Sequence, residues 1–270
     1  MLLDVNKLEE RDFKNTYTEI FAQADTWEEV YGLYEERKAE IEKFLAVFDK
    51  DTKVIFTGAG TSEYVGNIAQ DYLKTHGDFD FESIATTDLV SAPYLHFKKD
   101  QKTLLVSFAR SGNSPESLAA VKLGEQIVDD FYNLPITCAH DGKLAVNLRD
   151  DKNSYVFLNP AITNDKGFAM TNSFSSMLLA ALLIFDTSLE DKKDLVEKLA
   201  AIARDTYEKA EEIEKLVDFD FDRVAYLGSG PLGKLTKEAR LKILELTAGD
   251  VVTIFDSSMG FRHGPKSFIN

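Results

Sequence analysis

The chain has little of several things, and each shortage excludes a class. It carries one cysteine, Cys138, so neither an internal disulfide nor a cysteine-built zinc cluster can form. Six prolines and fifteen glycines in 270 residues exclude collagen-like and linker-dominated architectures. The longest uninterrupted apolar run, Met177 to Phe185, is far short of the roughly 20 residues that span a bilayer. The opening MLLDVNKLEERDFK has no basic head and no long apolar stretch, so no signal peptide is expected and a cytoplasmic protein is. Basic residues are scarce as well: 31 Lys and Arg against 46 Asp and Glu give a net charge of −15. Such a chain repels nucleic acid at long range. An anionic ligand must therefore be captured locally, by helix N-termini, hydroxyls and a few placed cations.

What remains is ordinary for a globular fold, with 44% apolar and 29% charged residues. Residues 1–50 read as a helical segment. Thr26-Trp27-Glu28-Glu29 has the form of a capping box, and Trp27, Val30, Leu33, Tyr34, Ile41, Phe44, Leu45 and Phe48 follow at mostly helical spacing. Short apolar runs then appear at Val54–Thr57, Phe79–Ala85, Thr103–Ser107, Ile136–Ala139 and Tyr155–Leu158, each separated by room for a helix. That alternation predicts a doubly wound α/β fold on a parallel sheet. Asn172 to Asp186 reads as an apolar helix. Asp191 to Val217 reads as a connecting helix with Leu195, Leu199, Ile202, Ala210, Ile213 and Leu216 on one stripe.

After the connector the pattern restarts. VIFTGAGTSEYVGNIAQDYL (54–73) and VAYLGSGPLGKLTKEARLKI (224–243) share strand, G-x-G turn and helix, with Gly58 matching Gly228 and Gly60 matching Gly230. The expected organisation is a helical segment 1–50, a first lobe 51–190, a connector 191–217 and a second lobe 218–270. Only two strands, Val224–Leu227 and Val251–Phe255, fit in that last lobe. It is expected to be incomplete, the rest lying in missing chain or in a partner subunit.

Two loops carry the chemistry, each at the end of a predicted strand and the start of a helix, the edge where open α/β sheets bind ligands. In Gly58-Ala59-Gly60-Thr61-Ser62 the glycines permit a tight turn and Thr61 and Ser62 offer hydroxyls. In Ala109-Arg110-Ser111-Gly112-Asn113-Ser114-Pro115, Ser114 suits the N-cap, Pro115 suits the first helical position, and Arg110 adds a cation. Together they describe a phosphate-sized anion site. The G-x-G turn also fits a dinucleotide site, with Asp78 or Asp80 at the ribose-binding distance. Against that, Glu63 at the third glycine position would set a carboxylate against the pyrophosphate. No G-x-x-x-x-G-K-[ST] occurs, which excludes a P-loop.

GAGTSE (58–63), ARSGNSPES (109–117), NDKGFAMTNSFSSM (164–177) and FRHGP (261–265) resemble the SIS (sugar isomerase) fold family over nearly all of residues 50–270. The resemblance is to the tagatose-6-phosphate ketose/aldose isomerase type, also described as galactosamine-6-phosphate deaminase/isomerase, and more distantly to the isomerase half of glucosamine-6-phosphate synthase. It implies a flavodoxin-like sheet in each of two SIS-like lobes, an active site at a subunit or lobe interface, and a homodimer or larger homo-oligomer. Phosphate-binding hydroxyls fall on Ser62, Ser111 and Ser114, with Thr61 adjacent. Arg110 stands where the synthase has a neutral amide. Pro231 and Leu232 occupy the matching positions of the second repeat, so one phosphate site per chain is implied. The substrate implied is a phosphorylated hexose or hexosamine, turned over without metal or nucleotide cofactor.

Aldose–ketose interconversion needs a base that moves a proton between C1 and C2, and a group that opens the ring. The family's glutamate, three residues before the histidine of H-G-P, falls on Gly260. Asp256 is the first substitute for that base and Glu63 the second, while His263 is the acid/base candidate among four histidines. Asp165, Lys166 and Asn172 are candidate sugar contacts. The rival reading is a regulatory protein that binds the phosphosugar without turning it over. Such a protein would need Ser62 and Ser111 but not Asp256 or His263.

Overall fold

The computed structural model describes residues 13–218 and 220–269. The helical expectation for residues 1–12 lies outside them, as do position 219 and Asn270. The first sheet holds five strands, β1 (Lys53–Gly58), β2 (Asp80–Ala85), β3 (Thr103–Ala109), β4 (Phe131–Thr137) and β5 (Phe157–Leu158). Their order is β2-β1-β3-β4-β5, all parallel. This is the doubly wound, flavodoxin-like order, and its switch point lies between β1 and β3.

Period-two alternation along the strands separates two cores. Val54 and Phe56 of β1, with Leu104, Val106 and Phe108 of β3, face α1 (Lys14–Leu45), α2 (Thr61–Leu73) and α6 (Asn172–Phe185). Ile55 and Leu105 face the opposite way, toward α3 (Thr86–Ser91), α4 (Pro115–Ile127) and α5 (Lys143–Leu148). Every residue of β3 is buried, as a central parallel strand covered on both faces must be. Strand β4 begins five residues before the apolar run that marks it in sequence. Tyr132, Asn133 and Pro135 interrupt the apolar pattern, yet they pair in register with Leu104, Leu105 and Ser107.

Three expectations give way. Thr26 caps nothing: α1 is already helical from Lys14, and the Thr26 hydroxyl donates to the Ala22 carbonyl one turn back (2.9 Å). The connector is two helices, α7 (Lys192–Glu208) and α8 (Ala210–Val217), broken at Lys209. Its buried stripe is also different. Val196, Ala200 and Ala203 turn inward, the two alanines against Ala24 of α1, while Leu199, Ile202 and Ile213 stay exposed. Small side chains let the two helix backbones approach closely, and that contact wins over the larger aliphatics. The Leu216 side chain lies outside the described residues.

The repeat is reproduced in backbone geometry. Strands β6 (Arg223–Leu227) and β7 (Val252–Asp256) pair in parallel around α9 (Pro231–Leu246). Gly60 and Gly230 share φ of 58° with ψ of −127° and −141°, a conformation L side chains rarely adopt. A Cβ on Gly58 would lie 2.5 Å from the Ser62 carbonyl carbon, and one on Gly228 would lie 2.8 Å from the Leu232 oxygen. Both turns fold their strand end tightly onto the following helix.

Candidate active site at the carboxyl edge of the first sheet

Strands β1 and β3 are hydrogen-bonded neighbours with Thr57 opposite Ser107, so the two loops that follow them leave the sheet side by side. Each brings a helix N-terminus and its partial positive charge to that edge, although the Ser62 amide already donates to the Ala59 carbonyl (3.3 Å) and the Ser117 amide to the Ser114 carbonyl (3.1 Å). Ser62 lies in the first turn of α2 and is buried. Ser114 is the N-cap of α4, Pro115 follows it in the first turn, and the exposed Ser114 hydroxyl makes no cap bond. The Ser111 hydroxyl accepts weakly from the Asn113 amide (3.4 Å). Arg110 is half-buried and donates through Nη1 to the Gly167 carbonyl (3.4 Å). Ser62, Arg110, Ser111 and Ser114 thus sit on adjacent loops at the switch point.

Thr61 does something the sequence does not announce. Its hydroxyl donates to Glu238 Oε1 (3.1 Å) and accepts from Lys242 Nζ (3.0 Å), both on α9. Lys242 also ion-pairs with Glu238 (3.0 Å) and with Glu245 (2.7 Å). Glu238 is only 3% exposed, and its second oxygen has no hydrogen-bond partner. Burial pushes its carboxyl above the ordinary range, against the opposing pull of Lys242 and Thr61. A buried acid with a raised pKa beside a specific cation recurs at functional sites and in structural ion-pair networks alike. These three residues read in sequence as an amphipathic helix of Lys and Glu. Only the packing of α9 on α2 sets them against the loop.

Asp256 and His263 lie elsewhere. The two helices run antiparallel, because Thr61 meets Glu238 and Lys242, Asn67 meets Lys237 (2.9 Å), and Asp71 meets Lys234 (3.9 Å). Asp256 ends β7 beside Gly230, Lys234, Lys237 and Asp71, lining a cavity of about 370 Å³. That is the far end of α2, a helix about 20 Å long at its thirteen residues. Its carboxylate accepts from the Ser257 amide (2.6 Å). A Cβ on Gly260 would overlap this carboxylate, so a glutamate side chain at 260 has no room while Asp256 holds its place. His263 closes the short 3-10 turn Gly260–His263 and is exposed. Within one chain, neither meets Ser62.

Glu63 remains next to the loop, in the first turn of α2, with Asn67 Nδ2 donating to its backbone carbonyl (3.0 Å). Of the candidate sugar contacts, Asn172 is fully buried between Thr26 and Ser176. The Asp165 carboxylate accepts from the Thr171 amide and from the amide and hydroxyl of Ser173. The second Asp165 oxygen is buried without a partner; Lys166 is exposed. Among the described residues no group of three or more His, Cys, Asp or Glu is placed to hold a metal ion.

A parallel 2-1-3-4-5 sheet with two hydroxyl-rich loops at its switch point is the fold that the resemblance to SIS-type phosphosugar isomerases and deaminases implied, and comparison with known proteins bears out that class. No family model matches. D-galactosamine-6-phosphate deaminase AgaS of Shewanella sp. (strain ANA-3) is 40% identical over 274 residues, covering 100% of this chain and 70% of that protein. A Clostridium novyi NT crystal structure assigned as a tagatose-6-phosphate ketose/aldose isomerase superposes with a TM-score of 0.91 at 44% identity, over 98% of this chain and 69% of that one. Tagatose-6-phosphate ketose/aldose isomerase from Escherichia coli superposes with a TM-score of 0.88 at 37% identity, over 93% and 69%. The chain belongs to this family of galactosamine-6-phosphate deaminases and tagatose-6-phosphate ketose/aldose isomerases. No helix among the described residues is long and apolar enough to cross a membrane.

Proposed function

We propose that the chain acts on galactosamine 6-phosphate, converting it with water to tagatose 6-phosphate and ammonia. The observation that carries the reading is Thr61, which joins the anion loop directly to the Glu238–Lys242–Glu245 cluster. The phosphate is held by Ser62, Ser111 and Ser114, by the N-termini of α2 and α4, and by Arg110. With the phosphate there, the other end of the open-chain sugar extends toward α9. A carboxylate takes the proton from C2, and the electrons move into an enolamine. A proton returned to C1 gives the imine at C2. Water adds to that carbon and ammonia leaves, so the amine nitrogen departs with no redox change.

Glu238, held toward its protonated form by burial, and Glu245, paired with the Lys242 ammonium, form two carboxyls in different surroundings. That is the usual basis for dividing acid and base roles. Glu63 stands nearby as a further candidate. Asp256 and His263 can serve a phosphate loop only if another copy of the chain brings them to it, which is what the expected homodimer would supply.

The test is ammonia release from galactosamine 6-phosphate and glucosamine 6-phosphate by the wild type and by the Glu245→Gln and His263→Ala variants. Release lost in Glu245→Gln supports the assignment, and loss in His263→Ala as well points to a site shared between copies. Phosphosugar binding with no ammonia release and no interconversion of tagatose 6-phosphate would hand the case to the regulatory reading.

A further inference from the structure

Residues 164–171 form an irregular strap before α6, and two buried carboxylates, Asp165 and Glu19, fasten it. Asp165 secures its far end at Thr171 and Ser173. Glu19, on α1 and only 8% exposed, secures the middle: Oε1 accepts from the amides of Lys166 (2.6 Å) and Gly167 (3.0 Å). The contact is as close as backbone permits. A Cβ on Gly167 would lie 2.7 Å from both Glu19 Oε2 and Thr16 Oγ1. Gly167 then presents its carbonyl to Arg110.

Arg110 is the one cation in the two anion loops, 58–63 and 109–117. A free arginine side chain carries about 2 kcal/mol of rotamer entropy, which is lost on seating an anion unless the guanidinium is already restrained. We propose that Glu19 is a positioning residue for phosphate binding: it pins Gly167, and Gly167 holds Arg110 over the site. The proposal rests on the reading of Arg110 as a phosphate ligand. Through this chain of contacts the N-terminal helix becomes part of the substrate site without touching substrate.

The experiment is a double-mutant cycle read as the inhibition constant of inorganic phosphate, with KM for galactosamine 6-phosphate as the second readout. Glu19→Ala is expected to weaken phosphate about three- to tenfold, and to have no further effect once Arg110→Gln is present, since a positioning residue acts only through its target. Glu19→Asp keeps the charge but withdraws it by one methylene, and is expected to show the same coupled loss even if the alanine variant folds poorly. Glu19→Gln keeps the acceptor oxygen and is expected to restore phosphate affinity to near the wild-type value. Additive losses in the cycle, or an unchanged inhibition constant in Glu19→Asp, would overturn the proposal while leaving the phosphate site intact. If Arg110→Gln alone does not weaken phosphate, the assignment of Arg110 fails, and this inference with it.

Discussion

Replacing Glu238 by Gln should move activity and stability in opposite directions. Glu238 is buried beside Lys242, its second oxygen is unpartnered, and burial raises its pKa above the ordinary 4.5. For a carboxyl raised on folding, the native state binds the proton more tightly than the unfolded chain. Its stabilising contribution is complete below about pH 4.5, and it is lost as the pH rises through the native pKa, at a limiting slope of about 1.4 kcal/mol per pH unit. Glutamine cannot ionise, so the variant escapes that loss. Lys242 is not stranded, because Glu245 stays 2.7 Å away. Denaturant unfolding of both proteins from pH 4 to pH 8 should give a difference that grows in the variant's favour with pH. Each 1 kcal/mol would appear as a rise in Tm of about 2–4 °C. Titrating groups not coupled to Glu238 are common to both proteins and cancel in the difference, which leaves the Glu238–Lys242–Glu245 cluster as its source. If Glu238 moves a proton in the reaction, kcat should fall about 10²- to 10⁴-fold in the same variant. Parallel stability curves would refute the electrostatic account, and wild-type turnover would refute the catalytic one.

Three further outcomes follow from the same contacts. Ser62→Ala and Ser111→Ala should each raise KM for the phosphosugar about tenfold or more, the expected loss of a hydrogen bond to a charged group, while turnover of unphosphorylated galactosamine, however slow, is unaffected; equal losses on both sugars would remove these serines from the phosphate site. Gly58→Ala should cost about 3 kcal/mol, because its Cβ meets the Ser62 backbone at 2.5 Å. Gly32→Ala, on the exposed side of α1 with nothing within 4 Å, should stabilise by about 0.5–1 kcal/mol, and the pair can be read in one set of thermal melts. Burial pushes the Cys138 thiol up to about 12, so a thiol reagent should label the native protein only at its opening rate and the denatured protein at once. Fast labelling of the native state would mean the core around β4 is open.

The alternation of strand and helix, the parallel sheet, the repeated strand–G-x-G–helix unit and the two hydroxyl-rich loops were legible in the sequence. Those are local signals. Apolar runs bounded by turns mark strands, and Gly58, Gly60, Ser114 and Pro115 carry their backbone requirements in their own chemistry. Where local signals misled, a distant contact outweighed them. Thr26 carries a capping pattern, but α1 continues through it and its hydroxyl also takes a hydrogen bond from Asn172. The large aliphatics of α7 form a plausible stripe, yet the alanines face α1. The candidate acid/base groups show the same division. Asp256 and His263 stand out in sequence because they lie at a strand end and in FRHGP, whereas Glu238, Lys242 and Glu245 look like any solvated helix face. Which of them stands beside Thr61 depends on two helices packing antiparallel, with contacts between residues 170 to 181 apart in sequence. Such a placement is a property of side-chain packing between remote segments, and no local pattern encodes it.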